Sequence, residues 1–407
     1  MDNESQTGQM TPPTRSSRNS TQTPKKKKKR VFAIVLAVIA VLGIVTGVFA
    51  ANTFQRVHKA VDKTFKSTGI KKARDVSAVL KDGKPFTVLL MGTDTGELGR
   101  EDAGRTDSLM LMTVNPEKKK TTLMSIPRDT LIAPVGYEEE FPQKMNAAYE
   151  FGKEATTIKT IQQWLNVPID FYAMVNMRGM EDVVNEVGGI QVDSPLTFEY
   201  NPLTAHADSG LDYGFTDPGD LYSFTEGSTK VGFSKGATGT NWTYTDKMDG
   251  AAALAFSRMR YDDPLGDYGR TQRQRLVLEA IMKKAKSSPL KLVNQSFLDT
   301  LSKNARTDLT YDDMMTIVSK YTAAANKIVT DHVQGGGDMI GGVSYEIVSS
   351  TEQQRATNVL RSSLGLKHEA AGPLYAGNVS ETTIASLGLP SAITTDTTAD
   401  SDTSSSN

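Results

Sequence analysis

The chain contains no cysteine, which excludes disulfides, thiolate metal sites and cysteine nucleophiles. Histidine is nearly as scarce. The four present, His58, His206, His332 and His368, stand outside the polar stretches described below, which argues against a Ser-His-Asp triad or a zinc site. No GxxxxGK(S/T) run occurs, so the chain is not a P-loop NTPase. A net charge of −1 over 407 residues leaves no basic body of the kind that nucleic acid requires. The near-neutral total hides an asymmetry. Residues 1–30 hold eight Lys/Arg and two Asp/Glu, +6, so the remainder carries −7.

Hydrophobic residues, at 38%, are sufficient for a core, and the length allows one large domain or two ordinary ones with tails. Residues 1–24 are too polar to fold. Lys25–Arg30 is a basic run, and Val31–Ala51 follows without a charge. As a helix the latter would be about 31 Å long, matching a bilayer core. The basic run in front of it predicts a cytoplasmic N-terminus and an extracellular body. A cleaved signal peptide is the competing reading, but the apolar core is long for one and Val48-Phe49-Ala50 is a poor cleavage site. Expected boundaries are a cytoplasmic tail over 1–30, an anchor over 31–51, a stalk over 52–83, a catalytic domain over 84–370 and a mostly disordered tail over 371–407.

Within the body, Thr87–Met91, Leu109–Val114 and Thr121–Ile126 are short apolar runs bounded by Gly, Asn-Pro and Pro, which predicts strands with buried faces. Further strands are expected at Phe171–Val175, Ile190–Val192 and Val343–Val348. Helices are expected over Asn146–Asn166, Met177–Val187, Met248–Phe256, Arg270–Lys286, Asn294–Lys303, Tyr311–Asn326 and Thr351–Leu364. Gly335–Gly337 reads as a loop. Thr197–Thr245, rich in Gly, Asp, Ser, Thr and aromatics, reads as a long excursion, a hairpin with loops serving as lid or acceptor-binding surface.

Two polar stretches could carry chemistry. In the first, Asp94, Arg105, Asp107, Arg128 and Asp129 fall where strands give way to loops, the usual place for ligands in an α/β sheet. In the second, Arg258–Arg275 holds five arginines and no lysine. Arginine's planar fork makes paired hydrogen bonds to phosphate oxygens, which lysine cannot. Arg270 and Gln274 share a helix face. An equally open reading is a solvated helix start whose arginines pair with Asp262, Asp263 and Asp267, with Asp129 and Asp263 serving only as partners of Arg128 and Arg260. Taken together, carboxylates without Cys or His suit a hard cation such as Mg²⁺, and guanidiniums suit phosphate. The combination describes a phosphate-processing centre, which membrane tethering directs towards a lipid-linked phosphate.

The ordered motifs GTD, GRTDS, SIPRD, KMNAAYE, VPIDFYAMVN, EVGGIQV and SRMRYDDPLGDYGRTQRQR resemble the LytR-CpsA-Psr family over about Phe86–Lys284. The resemblance implies an α-β-α sandwich with a central mixed sheet and an apolar pocket for a polyprenyl tail. It implies transfer of a glycopolymer (teichoic acid, capsule or a related polysaccharide) from undecaprenyl pyrophosphate to peptidoglycan, with Mg²⁺ present. Position by position it places Asp94 and Asp107 at the metal–pyrophosphate centre and Arg105 beside Asp107. Arg128, Lys144, Arg258, Arg260, Arg270 and Gln274 join the pyrophosphate-binding group. Gln143 stands where many relatives have His, so any role of that His is missing. Two rival readings use the same residues or the family name: a lipid-pyrophosphate pyrophosphatase and a transcriptional attenuator. The second is hard to fit to some 30 polar cytoplasmic residues, which leave no room for a helix-turn-helix.

Overall fold

The computed structural model describes residues 65–93, 104–237, 239–287 and 304–391. The expected anchor over Val31–Ala51, the helix over Asn294–Lys303, Asp94 and the chain beyond 391 lie outside the described residues. Among the described residues no helix is long and apolar enough to cross a membrane.

The three apolar runs form strands somewhat longer than expected: β1 (Phe86–Thr93), β2 (Thr106–Asn115) and β3 (Lys120–Ile126). Two short strands, β4 (Leu131–Ile132) and β5 (Gln143–Lys144), pair with each other. Helix α1 (Val76–Lys81) precedes this group and α2 (Ala148–Leu165) follows it, kinked at Gly152–Lys153. Then come β6 (Phe171–Asn176) and α3 (Met177–Glu186). The main sheet runs β11-β6-β1-β2-β3-β12, its edges supplied by β11 (Ala305–Thr307) and β12 (Lys327–His332). β1 is antiparallel to β2 and parallel to β6, so the sheet is mixed, as expected.

Period-two alternation splits the strand side chains between two cores. Phe86, Val88, Met112, Val114, Phe171 and Ala173 face one side, where α3 contributes Val183 and Val184. Helix α4 (Gly250–Arg258) adds Ala253 and Phe256 there, α5 (Asp267–Ser287) adds Val277 and Ile281, and α6 (Tyr311–Lys320) adds Met314 and Ile317. Leu89, Met91, Leu109, Leu111, Tyr172 and Met174 face the other side, against Ile161 and Trp164 of α2 and Leu360 of α7 (Ser350–Ser363). Helices thus cover both faces of a mixed sheet.

Several expectations need correction. Ile190–Val192 is not a strand; Ile190 makes only an isolated bridge to Met248. Thr197–Thr245 is more ordered than a hairpin with loops. It contains β7 (Phe198–Tyr200), β8 (Leu221–Phe224), β9 (Val231–Ser234) and β10 (Thr243–Thr245) in an antiparallel sheet ordered β10-β9-β8-β7. Its few apolar residues suffice because Phe198 and Phe224 stack at 4.7 Å and both lie in the core beside Phe256. The glycine run is not only a loop. Gly336–Ile340 forms β13, paired with β14 (Val343–Ile347), and the turn between them has positive φ at Gly341 and Gly342, which a two-residue hairpin turn requires. Residues 371–391, expected in the tail, bury Leu374, Tyr375 and Ala376 and carry helix α8 (Glu381–Ser386). The described part of the expected stalk is tied to the body. Lys72 Nζ donates to the Asp170 carbonyl at 2.6 Å, and Arg74 Nε donates to the Asp170 carboxylate at 2.7 Å.

The connection between α4 and α5 is pinned from inside. Arg273 is fully buried and donates to the Phe256 carbonyl at 2.9 Å, to the Met259 carbonyl and to the Asp263 carboxylate. Asp263 is therefore the partner of Arg273, not of Arg260. Burial pulls the Arg273 pKa below its ordinary value, the Asp263 carboxylate only partly offsetting that. Removing one member of a buried ion pair leaves the other charge uncompensated. Asp263→Ala is therefore expected to lower stability by about 3–5 kcal/mol. Asp262→Ala, on the exposed side of the same turn, should change it by less than about 0.5 kcal/mol. Urea unfolding of the two variants checks the difference; equal effects would contradict the clamp.

Candidate functional site

Strand ends and one helix start converge at one end of the main sheet. Asp107 stands near the beginning of β2, and Arg128 and Asp129 follow β3 after Pro127. Lys144 closes β5. Arg258 ends α4, Arg260 lies in the following turn, and Asp267 and Arg270 occupy the first turn of α5. Gln274 sits one turn further along α5, on the same face as Arg270.

The charges form one continuous chain. Arg128 Nη1 donates to Asp107 Oδ1 at 2.6 Å. Arg128 Nε lies 3.8 Å from Asp129 Oδ2 and 3.7 Å from Asp267 Oδ1. Lys144 Nζ pairs with Asp129 at 2.9 Å. Asp267 Oδ1 is also 3.5 Å from Arg260 Nε and 2.5 Å from Arg270 Nη2. Asp129 is thus nearer to Lys144 than to Arg128. An acid in the first turn of α5 is favoured by the helix dipole.

Proximity is not saturation. Arg128 Nε, Arg270 Nε and Nη2, Asp267 Oδ1 and Gln274 Oε1 are shielded from solvent yet make no well-aligned hydrogen bond. Buried polar groups are normally satisfied, and leaving one unpaired costs about 1–3 kcal/mol. Burial pulls Arg270 below the ordinary guanidinium pKa; Asp267 opposes this, while Arg128 and Arg260 add to it by repulsion. For Arg128 burial also works against the charge, but Asp267, Asp129 and Asp107 outweigh it and raise its pKa. Burial therefore leaves Arg270 short of the stabilisation a solvated guanidinium has, which an anionic ligand could supply.

Beneath this seat lies an apolar cavity with some 820 Å³ of empty space, mouth included. Leu90, Met110, Val175, Met180, Val277 and Ile281 contribute to its lining, so it lies between the sheet and helices α3 and α5. Gln274 belongs to both, its side chain lining the cavity one turn from Arg270. A polar head at the arginines with an apolar tail in the cavity is what this arrangement can hold.

A smaller cavity, with some 320 Å³ of empty space on the same measure, opens beside the seat, lined by Asp129, Asp267, Tyr268, His332 and Glu346 among others. The Tyr268 hydroxyl donates to Glu346 and accepts from the Gly335 amide at 2.7 Å. Burial raises the Glu346 pKa, and Asp129 and Asp267 raise it further against the lowering effect of Tyr268. The Glu346 amide donates to the Asp129 carbonyl at 2.8 Å, so hairpin β13–β14 helps fix the loop that carries Arg128.

Of the residues singled out in the sequence, Asp107, Arg128, Lys144, Arg260 and Arg270 join through ion pairs, and Gln274 adjoins them. Arg258 is half-buried at the end of α4. Arg105 points elsewhere: it pairs with Glu150 at 3.2 Å on the exposed surface. Asp94 lies outside the described residues. Sequence reasoning undervalued Asp267, which it held only as a charge partner, and missed Tyr268 and Glu346. The spacing Asp267–Arg270, one helical turn, was the available signal for the first. Glu346 had none, because it arrives from a separate hairpin.

For a divalent cation the chemistry of the donors fits. Mg²⁺ commonly takes one or two carboxylates with the substrate's phosphates and keeps several waters. Asp107 is a half-buried carboxylate beside the arginines. Among the described residues no group of three or more His, Asp or Glu is arranged as a self-sufficient metal site. Any cation held here would therefore depend on oxygens from a ligand.

The profile of the LytR_cpsA_psr family matches residues 44–362. The polyisoprenyl-teichoic acid–peptidoglycan teichoic acid transferase TagU of Enterococcus faecalis is 37% identical over 337 residues, covering 83% of this chain and 98% of its own. A crystal structure from the same organism, described as a transcriptional regulator, is 33% identical with a TM-score of 0.55, covering 72% of this chain and 92% of that one. A structure named as TagT bound to LI-WTA is 25% identical with a TM-score of 0.51, covering 74% and 96%.

A seat with excess positive charge should be stabilised by inorganic pyrophosphate. At 100 times its dissociation constant a ligand adds about 2.7 kcal/mol. The thermal midpoint is expected to rise accordingly, and the rise should vanish in Arg270→Ala while the ligand-free midpoint stays near wild type. An undiminished rise in that variant would contradict the assignment.

Proposed function

The chain belongs to the LytR_cpsA_psr family, and on that premise we propose that it transfers a teichoic acid or related glycopolymer from an undecaprenyl pyrophosphate carrier to peptidoglycan. The observation that carries the proposal is the junction at Gln274. Gln274, which lines the apolar cavity, stands one helical turn from Arg270, whose Nε and Nη2 are shielded from solvent without a well-aligned hydrogen bond. That is a receptor for a pyrophosphate joined to an isoprenoid. A regulatory reading, which several relatives' descriptions carry, gives this junction no use.

In the reaction proposed, a hydroxyl oxygen of the peptidoglycan glycan bonds to the phosphorus that carries the polymer. The bond from that phosphorus to the bridging oxygen breaks, undecaprenyl phosphate departs, and the hydroxyl proton is released. Arg128 and Arg270 hold the pyrophosphate, and Arg260 screens the charge on their outer side. Gln274 marks where the polar head meets the tail. Lys144 acts at one remove by holding Asp129. Arg258 is assigned to the same group from its motif. Asp107 orients Arg128 through the 2.6 Å bond. Asp107 and Asp94 would hold Mg²⁺ together with the donor phosphates, and the ion would neutralise charge developing on the phosphate oxygens. Either carboxylate could instead take the hydroxyl proton. Arg105, exposed and paired with Glu150, is assigned no contact with the donor. Water in place of the sugar hydroxyl would give hydrolysis with the same residues. The uncharged Val31–Ala51 segment is proposed as the membrane anchor, with Lys25–Arg30 inside and the body outside, where both substrates are found.

The test is reconstitution of the full chain in detergent with a lipid-linked polymer donor, Mg²⁺ and peptidoglycan. Polymer attachment is expected. Arg128→Ala should slow it by about 10²-fold or more, the usual consequence of losing one preorganised charge donor, and chelation of Mg²⁺ should do the same. Failure to attach polymer from any candidate donor would sink the proposal. Protease added to intact cells should degrade the body; full protection would refute the topology.

A further inference from the structure

The excursion between α3 and α4 places a row of exposed rings beside the charged seat. His206 and Tyr213 lie parallel, with centroids 6.4 Å apart and planes 1° from parallel. Tyr261, from the turn between α4 and α5, stacks on His206 at 5.0 Å. Tyr213 is 51% and Tyr261 64% exposed. Folding gives no reason to leave such rings in water, so a cluster of them marks a contact surface.

The shelf is built rather than loose. The side chain of fully buried Asn201 donates to the carbonyls of Asp208 at 3.0 Å and Pro218 at 2.9 Å, and accepts from the Leu203 amide at 2.9 Å. A Cβ at Gly219 would meet Asn201 Oδ1 at 2.5 Å, so glycine is required for this closure. The Tyr213 hydroxyl donates to Asp208 at 3.0 Å, and His206 Nδ1 lies 3.6 Å from Asp262.

Arg260 joins the shelf to the seat. Its guanidinium carbon lies 5.7 Å from the centre of the Tyr261 ring, while its Nε lies 3.5 Å from Asp267. Whatever rests on the rings therefore ends at the arginines.

Charge selects the partner. Residues 199–229 hold six Asp/Glu (199, 208, 212, 217, 220 and 226) and no Lys or Arg. Of these, Asp208 and Asp212, with Asp262 of the next turn, lie around Tyr213, a local negative charge that disfavours an anionic bilayer or a phosphate-rich polymer on the rings. It suits an uncharged sugar, whose C–H faces lie on aromatic rings and whose hydroxyls donate to carboxylates. We propose that Tyr213, His206 and Tyr261 form a shelf that binds the neutral glycan strand of the acceptor, delivering its hydroxyl to the pyrophosphate seat past Arg260. This deepens the transferase reading and rests on it for the acceptor's identity.

The test uses the full chain in detergent with three probes: β-1,4-linked N-acetylglucosamine oligomers as the uncharged form of the glycan strand, inorganic pyrophosphate, and vesicles of anionic phospholipid. Y213A/Y261A is expected to weaken glycan-strand binding by roughly tenfold, on the scale of two lost ring contacts. Pyrophosphate affinity should stay within about twofold, since neither ring touches the buried guanidiniums, and Y213F/Y261F should bind glycan nearly as wild type. The shelf is overturned if wild type does not bind the strands, if the double alanine variant binds them undiminished, or if it loses vesicle binding instead. The two readings fail separately. Ring-dependent strand binding without polymer transfer would refute the transferase alone. Transfer with an unchanged KM for acceptor in the alanine variant would refute the shelf alone.

Discussion

One carboxylate oxygen, Asp267 Oδ1, lies within 4 Å of three guanidiniums, those of Arg128, Arg260 and Arg270. Like charges gathered around one oxygen repel one another. A single acid cannot cancel three cations. Among the ion pairs of the described residues, Arg128, Lys144, Arg260 and Arg270 face Asp107, Asp129 and Asp267, four positive charges against three negative. Asp267 keeps the arginines together, and the excess with its unaligned nitrogens is the affinity offered to an incoming anion.

That crowding persists only because the scaffold is stiffer than the repulsion. Arg273 locks the α4–α5 turn from inside through Phe256, Met259 and Asp263. Gly269 lets the Asp263 carboxylate approach the helix, where a Cβ would meet its Oδ2 at 1.8 Å. From the other side, β13–β14 fixes the Arg128 loop through the backbone of Asp129, and Tyr268 of α5 holds Glu346 and Gly335. Two neighbouring arginines of one helix thus have opposite duties. Arg273 is spent on structure, and Arg270 is left available to a ligand.

This division explains what the sequence could and could not say. β1, β2 and β3 are legible because they are short continuous apolar runs with Gly, Asn-Pro or Pro at their ends. β11 and β12 are not, because Ala305–Thr307 is only three residues long and Lys327–His332 is an edge strand without alternating burial. The sheet β7–β10 was hidden because its core is a few aromatic pairs, not an aliphatic stripe. Among site residues, the motif-borne Asp107, Arg128 and Arg270 converge as proposed. Arg105 pairs instead with exposed Glu150, since residue type and nearness in sequence do not determine which partner a side chain takes at a strand entrance. Assigning Asp263 to Arg260 failed for a related reason: local spacing says which acids are near, and only packing says which of them is buried.

The central claim is that the arginines around Asp267 and the apolar cavity below form one receptor for a lipid pyrophosphate. A structure of the full chain with a short polyprenyl pyrophosphate tests it most directly. Both phosphates should lie within hydrogen-bond distance of Arg128 and Arg270, with the isoprenoid in the cavity between Met110, Val175 and Ile281. A pyrophosphate seated elsewhere, or an isoprenoid lying outside that cavity, would contradict the account.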